Sequence, residues 1–147
     1  MRFMMLMIPK VYQGEEGRKT GSDFTPKKED VERMTKYNEE LAKAGALISL
    51  DGLHPPVKGA RVTFEGGKPR VTDMPFTESR NILGGYWMIR AKSRDEAVEW
   101  AKRVPANDGD VIEVRQVFED SEFPEEVRRA GESPTVKAEI KKHKRSA

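Results

Sequence analysis

The chain has no cysteine, which excludes disulfides, thiolate metal sites and cysteine nucleophiles together. Histidine is almost as scarce. His54 and His143 are the whole complement, too few for a zinc centre built from imidazoles. Long hydrophobic runs are missing too. The apolar stretch from Arg2 to Ile8 falls far short of the roughly 20 residues that cross a bilayer. It meets Pro9 without the small-residue pattern of a cleavable leader, so a soluble, cytoplasmic protein is expected. An excess of one charge sign is lacking as well, since 27 Lys and Arg face 25 Asp and Glu. Such a balance leaves no nucleic-acid footprint over the whole chain.

What is present suffices for one core. A length of 147 residues with 36% hydrophobic and 35% charged residues is polar for a globular chain, yet within the range that folds. The apolar run at Arg2 to Ile8 reads as a central strand, because its length suits a segment buried on both faces. Tyr12 to Asp23, with Gly14, Gly17 and Gly21 among charges, reads as a mobile and lid-like connection. Thr25-Pro26 starts a helix. Val31, Met34, Asn38, Leu41 and Ala42 stripe one face of it, and Gly45 ends it.

Ala46 to Leu50 is a second strand, followed by a loop that His54-Pro55-Pro56 stiffens. Arg61 to Glu65 and Lys68 to Thr72 alternate about Gly66-Gly67, a hairpin pattern. Gly84 to Ile89 is a further strand, rich in aromatic and β-branched residues. Ser93 and Glu96 cap a second helix that Pro105 stops, and Val111 to Val117 alternates as the last strand. From Glu119 the character changes to a charged extension, residues 119–147, in which Pro124 begins a short helix and Lys141 to Arg145 form a solvated basic end. The main domain is therefore placed at 1–118.

Two β-α-β halves sharing one antiparallel sheet predict an α+β, ferredoxin-like sandwich with both helices on one face. The other sheet face would then stay bare. Because such apolar surfaces mark association, a homodimer with its sheets face to face is expected.

One stretch, Asp73 to Tyr86, obeys neither a helical nor a strand period, and a loop of that length in a compact domain points to function. Asp73-Met74-Pro75-Phe76-Thr77-Glu78-Ser79 followed by Leu83-Gly84-Gly85-Tyr86 resembles the Asp-Gly-Pro-Phe motif of the YCII-related superfamily. The likeness extends through Ala97 to Ala101 and Val111 to Arg115. The resemblance implies a dimeric α+β barrel and a cleft near this loop, and for bacterial relatives an association with extracytoplasmic-function sigma factors. Met74 replaces the usual Gly, and Arg80-Asn81 replaces Lys-Glu. Other branches resemble enzymes with a His-Asp pair whose His lies in the first helix, where this chain has Tyr37 and Asn38.

His54 and Asp73 are the candidate catalytic pair, since a carboxylate beside an imidazole orients a general base. Each also has a structural reading: His54 as a loop residue beside two prolines, Asp73 as the acceptor of an Asx turn to Phe76 or Thr77. Phe76, Thr77, Glu78, Arg80 and Tyr86 complete a ligand-binding set for a small anionic or aromatic metabolite. No metal or other cofactor is called for. The alternative is a non-enzymatic, ligand-sensing or regulatory module tied to sigma-factor-dependent transcription.

Overall fold

The computed structural model describes residues 1–74 and 80–146. In chain order its first compact unit, Met1–Val117, runs β1 (Arg2–Ile8), α1 (Gly14–Lys19), α2 (Lys28–Lys43), β2 (Leu47–Gly52), β3 (Ala60–Glu65) and β4 (Lys68–Asp73). It continues with β5 (Gly85–Arg90), α3 (Arg94–Lys102) and β6 (Val111–Gln116). The architecture is mixed α+β. One antiparallel sheet has the order β2-β5-β1-β6, and β3 and β4 form a separate two-stranded sheet.

The apolar run of β1 is thus central, as its composition predicts. Alternation sends Phe3 and Met5 of β1 to one face with Trp87 and Ile89 of β5. These residues join Tyr37 and Leu41 of α2 and Ala97 of α3 in the core, where Phe3, Met5, Leu41 and Ile89 are fully buried. Both long helices therefore pack on the same sheet face. The opposite face reads Ser49-Met88-Met4-Arg115 across one row and Asp51-Tyr86-Leu6-Glu113 across the next, largely apolar at its centre and polar or charged at its margins.

The helix ends follow local chemistry. Gly45 adopts φ +68°, and the Ala46 N–H reaches the Leu41 carbonyl at 2.9 Å while Gly45 bonds Ala42, a Schellman closure that needs a left-handed residue. Ser93 accepts from Glu96 N–H at 3.1 Å, whereas the Glu96 carboxylate turns back to Lys92 N–H at 2.6 Å. Two expectations are corrected. α2 starts at Lys28 rather than at Pro26, and its core-facing stripe is buried Tyr37 and Leu41 with half-buried Met34 and Asn38, while Val31 and Ala42 are exposed. The stretch from Tyr12 is no lid: it contains α1, and Tyr12, Gly17 and Thr20 are buried. The hairpin stands outside the main sheet.

From Phe118 onward lies a second compact unit carrying α4 (Glu125–Ala130) and α5 (Pro134–Ser146). Pro124 directly precedes α4, a place where its missing N–H costs nothing. The basic end predicted to be solvated is part of α5, on which Val136 and Ile140 lie one turn apart and more than half exposed.

Candidate functional site

Where the chain leaves β2 and returns to β5, a concavity of about 490 Å3 opens. Its apolar wall is Leu53, Pro55, Pro56, Met74, Ile82 and Leu83, and its polar groups among the described residues are His54, Lys58, Arg61 and Asn81. None of these is acidic. The described lining thus combines cationic side chains with an apolar wall, the kind of mixture found in small-molecule sites.

Partly buried bonds hold the walls. Gln13 clamps Ile82 from both sides, its Oε1 accepting from Ile82 N–H at 2.9 Å and its Nε2 donating to the Ile82 carbonyl at 2.8 Å. The same Nε2 lies 2.8 Å from the Pro9 carbonyl, so this side chain imitates one rung of a sheet. The next residues are held equally firmly. Gly84 N–H bonds Met7 at 2.8 Å and its carbonyl accepts from Leu53 N–H at 2.9 Å, while the Tyr12 hydroxyl donates to the Leu53 carbonyl at 3.2 Å. Burial pushes the Tyr12 phenol above its ordinary pKa of 10.0. A Cβ on Gly84 would lie 2.6 Å from the Pro9 ring, and one on Gly85 would lie 2.8 Å from the Asp51 carbonyl. Close approach, rather than a phosphate-binding turn, explains this glycine pair.

Asn81, at φ +57°, takes the left-handed conformation that asparagine tolerates better than most residues. Met74 does not need a positive φ. Its sulfur instead rests on Gly59, where a Cβ would come within 3.2 Å.

The candidate residues named from the sequence are dispersed. His54 lines the concavity. Asp73 ends β4 opposite Ala60, on the alternation face of Ala60 and Val62 rather than that of Arg61. His54 and Asp73 thus sit on different surfaces of this region. Arg80 borders a different depression with Lys10, Gln13 and Gly109. Tyr86 lies on the outer sheet face and donates to Asp51 Oδ2 at 2.6 Å, a bond that raises its pKa. Phe76, Thr77 and Glu78 lie outside the described residues. Sequence reasoning overlooked Lys58, Arg61 and Gln13; a cluster of cations flanking a Pro-Pro turn was the available signal for the first two. No three His, Asp or Glu side chains among the described residues converge as metal ligands, and no helix among them is long and apolar enough to cross a membrane.

An uncharacterized protein of Rhizobium meliloti (strain 1021) is 30% identical over 79 residues, covering 51% of this chain and 64% of that protein. The chain thus spans less than two thirds of that relative's length. A model of the YCII-related domain matches residues 1–121, the stretch that holds the whole sheet, its helices and the concavity, and the chain belongs to the YCII-related domain family.

Proposed function

We propose that this protein binds a small carboxylate with an aromatic or aliphatic body in the concavity beside His54, and that it does so as a homodimer of the Asp-Gly-Pro-Phe branch. The observation that carries the reading is the lining: apolar side chains on the walls, with Lys58, Arg61 and His54 as its charged or ionisable described groups. A carboxylate gains charge-assisted hydrogen bonds there, and its apolar body replaces water along Leu53, Ile82 and Leu83. The strand order β2-β5-β1-β6 with both long helices on one face supports a ferredoxin-like description. The row of Met4, Leu6 and Met88 on the opposite face supports pairing of sheets in a dimer.

Thermal shift with matched carboxylates and carboxamides tests the ligand class. Carboxylates should raise the Tm of the wild type in proportion to ln(1 + [L]/Kd), and Lys58→Ala or Arg61→Ala should reduce the rise. Equal shifts from the amides, or variants that respond like the wild type, would sink the reading. Catalysis is the stronger version of it, with His54 as general base and Asp73, on the other face of the ribbon, as a control. Turnover lost in His54→Gln and kept in Asp73→Asn would support that version; binding without turnover leaves a sensor.

A further inference from the structure

The β3–β4 hairpin forms its own two-stranded sheet, outside the four-stranded one. Its rungs pair Val62 with Val71 and Phe64 with Pro69, so period-two alternation collects these four residues on one face. The other face carries Arg61, Thr63 and Glu65 of β3 with Lys68, Arg70 and Thr72 of β4. Every residue of both strands is exposed. Phe64 is 74% exposed, Val71 67% and Val62 53%. Gly66 and Gly67 both take positive φ, +56° and +76°, the turn that gives a ribbon its native twist. A lone two-stranded ribbon is at best marginally stable in water and needs a surface for its apolar face.

We propose that this apolar face seats on a second copy of the chain, so that the two hairpins act as exchanged arms of the dimer. The inference rests on the dimer reading above. Area selects the occupant. Four strands about 4.8 Å apart and some six residues long present roughly 400 Å2 of face per chain, against the ~800 Å2 per partner of a stable interface. Sheet pairing alone therefore falls short by about half. The arm supplies the deficit with Phe64, Val62 and Val71, the most exposed large apolar cluster on the β3–β4 ribbon, and it springs from the β2 and β5 side of the same sheet.

Sedimentation equilibrium of the full chain tests this, comparing the wild type with Phe64→Ser/Val71→Ser and with Leu6→Asp on the sheet face. Exposed residues are changed in the first variant, so circular dichroism should match the wild type. A dimer whose dissociation constant rises at least about tenfold in the hairpin variant supports the arm. A wild-type dimer that Leu6→Asp weakens and the hairpin variant leaves equally tight overturns the arm and leaves the sheet pairing standing. A monomeric wild type overturns both. Because the chain lacks cysteine, Val62→Cys also accepts a single spin label. Its spectrum should be immobilised at high protein concentration and become mobile on dilution, and a label mobile at every concentration counts against the proposal.

Discussion

Gln13 does more for the site than any residue singled out by its chemistry, because its amide satisfies a backbone N–H and a carbonyl that the buried Ile82 cannot pair otherwise. Removing it leaves both groups orphaned, at a cost of about 2–3 kcal/mol. Gln13→Leu should show that loss as a lower urea midpoint. Gln13→Glu should be nearly as harmful, because a carboxylate still accepts from Ile82 N–H but faces the Ile82 and Pro9 carbonyls; recovery of full stability by Glu would contradict the clamp. Tyr37 presents a related case in the core. Its hydroxyl donates to the Trp100 carbonyl at 2.9 Å, its ring meets Trp87 edge-on at 6.0 Å, and Trp87 Nε1 donates to Asn38 at 2.8 Å. Asn38 on an apolar stripe is explained by that one bond.

Among the elements, α2 depends most plainly on a single stop. Gly45→Ala places a Cβ in open space but at φ +68°, so strain and not collision sets the penalty, about 1 kcal/mol. Chemical denaturation should show that loss with an unchanged m value; no loss would mean the cap relaxes without cost. α2 and α3 are further tied by the Arg103–Glu40 ion pair, and Arg103 also stacks 4.4 Å from the Trp100 ring of its own helix. Both are exposed enough to contribute little alone. The hairpin, the strand alternation and the Gly45 stop were legible because period and turn chemistry are local. The stretch from Tyr12 to Asp23 was misread because its glycines looked like flexibility. Gly17 in fact admits the Tyr12 backbone, whose oxygen a Cβ would meet at 2.2 Å, and Thr20 folds its hydroxyl onto Val11 and Glu16 at 2.9 Å each. Close approach between segments has no local signature.

For the whole molecule, alkaline pH is the informative variable. Burial raises the Tyr37 pKa well above 10, so the folded state keeps this phenol protonated where the unfolded chain ionises it. The sign follows directly: the contribution is complete below pH ~10 and is lost as pH rises further, at about 1.4 kcal/mol per pH unit for one such group. Urea midpoints between pH 9 and about 11 should fall, and Tyr37→Phe should flatten the decline; an unchanged slope would remove Tyr37 as its source. Residue order alone determined the α+β class, the central β1, the helix stop at Gly45 and the hairpin with its Gly66-Gly67 turn, because these depend on periodicity and backbone sterics over a few residues. Only the tertiary structure decided which side chains share a surface. It put His54 beside Lys58 and Arg61, moved Arg80 and Tyr86 to other faces, set Asp73 on the hairpin's opposite side and left the residues of both hairpin strands exposed, since those relations depend on how β2, β5 and the segment around Gln13 meet in space.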